Sequence, residues 1–221
     1  MGTPCSGIEK LSPILKNGEF IDSYSHLFVN IYTERIALQD LKWEIASQII
    51  KIQKNGLKIN HINGHQHILM VHCLLKSILS LMKKHQIPFL RVPAEIVGIS
   101  SLKSPKGWGF LILGILSKYW KLRLKFAGSP VRTATYFHGL SFSERMALQD
   151  LMGVLKSLKP GITEILCHPG YRDSISLPAH LQGPFLRERE LRVLKSSEVI
   201  NYITQKNIRL TGYGKLALEP F

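Results

Sequence analysis

The sequence predicts an α/β fold, either a barrel or a doubly wound sheet, formed by a single domain. Short apolar runs alternate with segments whose apolar residues recur at steps of three and four, so predicted strands and amphipathic helices follow one another along the chain. Polar residues, several of them histidines, stand where the predicted strands end. In both folds the active site is built at that edge of the sheet.

The composition is that of a globular chain. Its 221 residues are 45% hydrophobic and 20% charged, which argues against disorder and allows a sizeable core. The net charge of +14 favours polyanions, but no nucleic-acid-binding motif accompanies it. We therefore expect no nucleic-acid partner. A nucleic-acid-binding protein stays open as an alternative that rests on net charge alone.

The sequence also predicts a cytoplasmic location. Three cysteines without a CxxC spacing suit a reducing compartment, and the N-terminus lacks the basic and apolar regions of a signal peptide. The most apolar run, residues 108–116, is far shorter than the ~20 residues that span a bilayer. We therefore expect no transmembrane segment, while contact with a membrane surface stays open.

The first half of the chain is predicted to hold two strands and two helices after an irregular start. Residues 1–29 carry scattered glycines and prolines and are predicted to be irregular. Helical spacing of apolar residues predicts helices over 33–55 and 71–84. The segments 57–62 and 87–93 are short and apolar, which predicts strands.

The second half continues the alternation after a loop rich in glycine and serine. In chain order we predict helix 108–126, strand 131–137, helix 141–158, strand 162–167, helices 186–194 and 197–205, and strand 208–210. Ser141 and Glu144 have the spacing of a capping box, which predicts where the third of these elements begins. The later part of 108–126 is amphipathic and basic; packing on the core is favoured over lying on a membrane surface.

Four histidines lie close together at the end of the strand predicted over 57–62. They are His61, His65, His67 and His72. Neutral imidazole is the commonest metal ligand, which makes this cluster a candidate metal site. A strand would direct His65 and His67 to one side, whereas a helix would pair His61 with His65. On the residues alone, the alternative of ordinary polar side chains at a strand end stays open.

Several segments together resemble the YdjC-like carbohydrate deacetylases, along nearly the whole chain. The segment from His61 to His67 is similar to the family's histidine motif, with Asn63 where many members have aspartate. The run Thr-Glu-Ile-Leu-Cys-His-Pro-Gly at 163–170 resembles a late family motif. Further similarities lie at 1–4, at Glu44-x-x-x-Gln48, at Arg91-x-Pro93 with Glu95, and at 187–194. Two motifs in order are more specific than either alone.

The resemblance implies an irregular (β/α) barrel-like fold and a hydrolase that removes the acetyl group from an N-acetylated sugar or glycolipid. A divalent metal, magnesium or zinc, would be held by His65. His61 and His67 would support the site or bind substrate. His168 would act as a catalytic acid or donate to the oxyanion, and Arg91 would bind substrate. An ion pair of Arg91 with an acid such as Glu95 is an equally weighted alternative.

The resemblance also implies that family segments are absent from this chain. The family's paired aspartates and its first metal-binding histidine precede the part that residues 1–4 resemble. The chain would then lack the first strand-helix unit and supply one of three metal ligands, so metal binding would be weak and catalysis doubtful. The alternative is a catalytically dead remnant or a carbohydrate-binding protein. The sugar, the metal and a homodimeric state stay open.

Overall fold

The computed structural model describes residues 2–7, 9–21, 23–95, 105–126, 129–142, 145–171 and 186–219. These residues form a mixture of helices and strands, which confirms the α/β class at that coarse level. The elements of the first half are a 3-10 helix at Glu9–Ile14, β1 at Leu15–Lys16, β2 at Glu19–Phe20, α1 at Tyr24–Tyr32, α2 at Leu38–Lys54, β3 at His61–Ile62, a second 3-10 helix at His65–Met70, α3 at His72–Lys84 and β4 at Phe89–Leu90. Those of the second half are α4 at Pro105–Phe126, β5 at Tyr136–His138, α5 at Leu148–Lys156, β6 at Thr163–Ile165, α6 at Leu186–Leu194, α7 at Ser197–Gln205 and α8 at Tyr213–Leu216.

The chain divides into two compact units, and the first comprises Met1–Arg91, Ala127–Arg132 and Tyr213–Phe221. In this unit β3 and β4 pair in parallel, with His61 opposite Phe89. The strands β1 and β2 form an antiparallel hairpin. A core cluster gathers side chains from the N-terminal 3-10 helix, α1, α2 and α3 and the turn before α2: Leu11, Ile14, Ile31, Ile36, Leu41 and Leu74.

The second unit comprises Val92–Phe126 and Thr133–Gly212. Its strands β5 and β6 are parallel, with Tyr136 opposite Thr163. The apolar faces of α5, α6 and α7 meet in a core cluster that contains Met146, Leu151, Met152, Leu155, Val193 and Val199. Their burial follows from the three- and four-residue spacing that predicts these helices.

The described strands form three separate two-stranded pairs, and no closed barrel is found among them. The barrel-like arrangement, the missing first strand-helix unit and the single domain therefore stay predictions. None of the described helices is both long enough and apolar enough to cross a membrane.

Several predicted helices are confirmed. The segments predicted at 71–84, 186–194 and 197–205 agree with α3, α6 and α7 to within one residue, and α4 begins three residues before the predicted 108. The prediction that residues 1–29 are irregular is wrong, because they contain a hairpin and most of α1. The strand predicted at 208–210 is also wrong, since the described chain forms no strand there.

The predicted start of the helix at 141–158 is wrong as well, because α5 begins only at Leu148. The hydroxyl of Ser141 donates to Glu95 Oε1 at 2.8 Å, so it does not cap a helix. The carboxylate of Asp150 accepts a hydrogen bond from the Ala147 N–H at 2.8 Å and thereby satisfies a donor at the true helix start. The other half of the predicted capping box, Glu144, lies outside the described residues.

Candidate functional site

A cavity of about 320 Å3 lies in the first unit. Its wall is mostly apolar, with side chains from both 3-10 helices, β2, β3, α1, α2 and α3. The polar residues on its lining are Ser23, His26, Glu44, Gln48, Asn63 and His65. An apolar pocket with a few polar groups is the usual form of a small-molecule site, and its size suits one small ligand.

Glu44 is held by several hydrogen bonds beside the cavity. Its side chain is only 3% exposed. Its carboxylate accepts hydrogen bonds from the backbone N–H groups of Cys5 at 3.0 Å and Ser6 at 2.8 Å, and from Gln48 Nε2 at 2.7 Å. Gln48 lies one helical turn after Glu44, so α2 places the two side chains side by side. Glu44 therefore fixes the N-terminal segment beside the cavity, a role that the E-x-x-x-Q spacing alone does not reveal.

These hydrogen bonds make Glu44 a source of pH-dependent stability. Burial alone raises the pKa of its carboxyl group, but the bonds from Cys5, Gln48 and Ser6 together outweigh burial and lower the pKa below its ordinary value. A lowered pKa in the folded state stabilises the protein above the unfolded pKa of about 4.3, and this stabilisation is lost as the pH falls through the folded value.

We therefore expect Glu44→Gln to flatten the acid side of the stability profile. Urea unfolding at a series of pH values should show wild-type stability falling below about pH 4.3 more steeply than that of the variant. The exposed acid Glu34 provides the control, Glu34→Gln, which should retain the wild-type slope. Parallel profiles for wild type and Glu44→Gln would contradict this account.

The histidine segment is neither wholly strand nor wholly helix. His61 lies in β3, where its Nδ1 is 2.8 Å from Asn60 Oδ1 and its ring stacks on Tyr213 at 4.6 Å between centroids. The chain then turns, and His65 begins the second 3-10 helix. His67 has a left-handed backbone, with φ of 59°. Neither of the two predicted pairings, on a strand or on a helix, therefore describes this segment.

The structure brings one of these histidines to the cavity. The side chain of His65 is exposed and lines the cavity together with His26 and Glu44. In the described chain, neither His61 nor His67 is among the lining residues. His65 is therefore the best-placed member of the cluster to meet a ligand.

Arg91 follows β4 in the first unit. Its backbone N–H donates to the Ile62 carbonyl at 3.0 Å and extends the pairing of β3 with β4. Its predicted substrate-binding role stays a prediction. In the second unit, Glu95 accepts hydrogen bonds from the Leu140 N–H at 2.6 Å and from the Ser141 hydroxyl.

His168 belongs to the second unit and follows β6, as predicted for the end of a strand. Its backbone N–H donates to Glu190 Oε2 at 2.6 Å. Glu190 is fully buried, and its other oxygen accepts from the Met146 N–H at 3.1 Å. Within the described part of the chain, the ring nitrogen Nδ1 of His168 is buried without a hydrogen-bond partner. Its predicted role as a catalytic acid or oxyanion donor stays a prediction.

The described residues do not fit a complete metal site. Among them, no group of three or more histidine, cysteine, aspartate or glutamate side chains has an arrangement that could hold a metal ion. Catalytic zinc sites use about three protein ligands, and His65 is a single candidate.

Comparison with known proteins decides the family. Residues 1–205 match the family model described as YdjC-like protein. The chain belongs to the YdjC-like family. The resemblance predicted from the histidine segment and from 163–170 is thereby confirmed.

Relatives of this YdjC-like chain include proteins named carbohydrate deacetylase. The one from Clostridium beijerinckii is 27% identical over 180 residues, which cover 81% of this chain and 62% of that protein. The one from Thermoanaerobacter pseudethanolicus is 22% identical over 218 residues, which cover 97% of this chain and 74% of that protein. The chain thus spans less than two thirds of the length of the Clostridium relative.

A solved structure from Enterococcus faecalis V583 resembles the YdjC-like chain along most of its length. That crystal structure is described as a proposed cellobiose-phosphate cleavage protein. It has a TM-score of 0.60 and 25% sequence identity, and the match covers 97% of this chain and 72% of that one. The likeness supports the described arrangement of helices and strands.

Proposed function

We propose that this protein is a carbohydrate deacetylase, which hydrolyses the amide C–N bond of an N-acetylated sugar or glycolipid. The observation that carries the proposal is the match to the YdjC-like family over residues 1–205, where relatives bear that name. The position of His65 beside a small-molecule cavity supports it. A sugar is the proposed substrate class.

The reaction adds water across the amide bond, so the carbonyl carbon gains a hydroxyl group and the leaving nitrogen gains a proton. From the family resemblance of the segment 163–170, His168 is proposed to give the leaving nitrogen its proton. Arg91, His61 and His67 are proposed to bind substrate. A divalent metal, magnesium or zinc, belongs to the same proposal with His65 as one ligand.

A second candidate function is carbohydrate binding without hydrolysis. It is favoured by the lack of three converging metal-ligating side chains in the described part of the chain. Without a complete ligand set, the cavity and its polar residues would retain affinity for a sugar but would not activate water.

Acetate release from an N-acetylglucosamine disaccharide, assayed with added magnesium or zinc, tests the proposed function. We expect wild type to release acetate and His65→Ala to lower the rate by at least about tenfold, with loss of bound metal on elemental analysis. His85→Ala is the control, because it removes the same kind of side chain from a position that does not line the cavity. His85 is partly buried and is hydrogen-bonded to Gln53.

Three outcomes are distinct. Loss of acetate release in His65→Ala but not in His85→Ala supports the deacetylase. Sugar binding measured by calorimetry without any acetate release overturns the deacetylase in favour of the second candidate. If neither sugar binding nor acetate release is observed, both candidate functions are overturned.

A further inference from the structure

Helix α4 presents a continuous apolar stripe to solvent. Six side chains recur at alternating steps of four and three residues, and each is between 46% and 79% exposed. We call this set the α4 stripe: Trp108, Ile112, Ile115, Tyr119, Leu122 and Phe126. Steps of four and three keep side chains on one face of an α-helix. A contiguous exposed apolar surface of this kind marks an interaction site.

The opposite face of α4 is buried. Ser117, Trp120 and Leu124 are 0%, 5% and 7% exposed. Gly114 lies so close to the Glu95 carbonyl oxygen that there is no room for an added Cβ. The helix is thus fixed by one face, and the α4 stripe is a second apolar face that this packing leaves uncovered. The predicted core packing of α4 describes only half of the helix.

Basic residues flank the α4 stripe on both sides. Lys118, Arg123 and Lys125 are exposed, and no acidic residue occurs between Pro105 and Phe126. At 3.6 residues per turn, Lys118 and Lys125 border one side of the stripe and Arg123 the other. The surface is therefore apolar in the middle and positively charged at its edges, in a chain of net charge +14.

Charge decides between the two surfaces that would cover such a stripe. Steps of four and three are also the seam of a coiled coil, so a second copy of the chain is one candidate. Two copies of α4 would, however, place basic residues against basic residues, with no acidic side chain in the helix to pair with them. An anionic lipid surface complements the same charges. Lysine and arginine near such a surface are attracted to lipid phosphates, while tryptophan and tyrosine rings suit the headgroup level.

We propose that α4 is a membrane-surface helix, which lies flat on an anionic bilayer with the α4 stripe inserted at the boundary between headgroups and acyl chains. Lys118, Arg123 and Lys125 contact lipid phosphates from the two edges of the stripe. This inference does not depend on deacetylase activity.

Flotation with lipid vesicles tests the charge component on the full chain. Wild type should float with phosphatidylglycerol vesicles and not with phosphatidylcholine vesicles. The triple variant Lys118→Glu, Arg123→Glu, Lys125→Glu should bind phosphatidylglycerol about 100-fold more weakly. A matched control makes the same charge change at exposed lysines of other helices: Lys51→Glu, Lys54→Glu and Lys84→Glu. The vesicle affinity of this control should fall by less than about tenfold, because only the long-range attraction to the vesicle is reduced.

A second set of variants tests the apolar component. Ile112→Asn, Ile115→Asn and Leu122→Asn together should weaken vesicle binding by at least about tenfold, because the inserted apolar area is lost. All three side chains are exposed, so the fold should be retained, as circular dichroism will verify. The control replaces exposed isoleucines elsewhere, Ile50→Asn, Ile52→Asn and Ile200→Asn, and should bind as wild type does.

Three results would overturn the proposal. The first is an absence of binding to phosphatidylglycerol vesicles. The second is an equal loss of vesicle binding in the α4 variants and in their matched controls, which would indicate general attraction by net charge. The third is a wild-type dimer in sedimentation analysis that the apolar α4 variant converts to a monomer, which would identify a second copy as the occupant.

Discussion

Gly139→Ala is expected to lower the free energy of unfolding by about 3 kcal/mol or more. Gly139 has φ of +124°, a conformation that side-chain-bearing residues rarely adopt. A Cβ there would lie 2.5 Å from the Leu166 carbonyl oxygen and 2.9 Å from the Leu166 nitrogen. These backbone atoms cannot yield easily, because the Leu166 N–H donates to the His138 carbonyl at 2.8 Å. Strain in Gly139→Ala therefore falls on the pairing of β5 with β6.

Gly153→Ala is the matched control in the same unit. Gly153 is exposed in α5 and a Cβ there meets no atom within 4 Å. Alanine should stabilise the helix by about 0.5–1 kcal/mol. Urea unfolding followed by circular dichroism measures both variants. Equal stabilities of Gly139→Ala and wild type would show that the strand pairing adjusts without cost.

The helices that the sequence predicts well are those with strong local signals. The helix α7 begins at a capping residue, Ser196, whose hydroxyl accepts from the Val199 N–H. The end of α7 explains the strand wrongly predicted at 208–210. Asn207 adopts φ of 49°, and the Ile208 N–H donates back to the Ile203 carbonyl at 2.9 Å. This bond is the usual closure of a helix end, so an apolar run after a helix does not by itself indicate a strand.

One local signal identifies a feature that the prediction of an irregular N-terminus misses. Asn17 and Gly18 have φ of 53° and 79°, the left-handed pair of a tight hairpin turn between β1 and β2. An Asn-Gly pair between short strands is a strong hairpin signal. In residues 1–29 the Asn-Gly pair is therefore a better guide to local structure than the scattered glycines and prolines.

The candidate site is predictable only where its residues lie within one motif. The histidine segment predicts His65, which the structure places at the cavity. The bonds of Glu44 to Cys5 and of Glu190 to Met146 join residues 39 and 44 positions apart. Such contacts depend on how separate elements pack, and no spacing rule contains them. A glutamate among the apolar-face positions of a predicted helix is the one sequence signal that could have indicated them, because a buried carboxylate needs hydrogen-bond partners.

Glu190→Leu is expected to destabilise the second unit by about 3–5 kcal/mol. Glu190 is 0% exposed, and its carboxylate accepts from the N–H groups of Met146 and His168. Leucine has a similar size and preserves the packing of α6, but it removes the acceptor from the buried Met146 N–H and from the partly buried His168 N–H. Glu190→Leu therefore separates hydrogen bonding from packing. If Glu190 contributed only its side-chain volume, the variant would be about as stable as wild type.

A graded comparison then assigns the effect to the two bonds. Glu190→Gln retains one acceptor oxygen, so its loss of stability should be about 1–3 kcal/mol, below that of Glu190→Leu. The exposed Glu198 provides the control, Glu198→Gln, with a change within about 0.5 kcal/mol. Glu190→Gln should also shift the imidazole NMR signals of His168, because its carboxylate fixes the backbone that carries this ring. A stable Glu190→Gln variant with unchanged His168 signals would show that the buried carboxylate neither supports the fold nor positions the histidine.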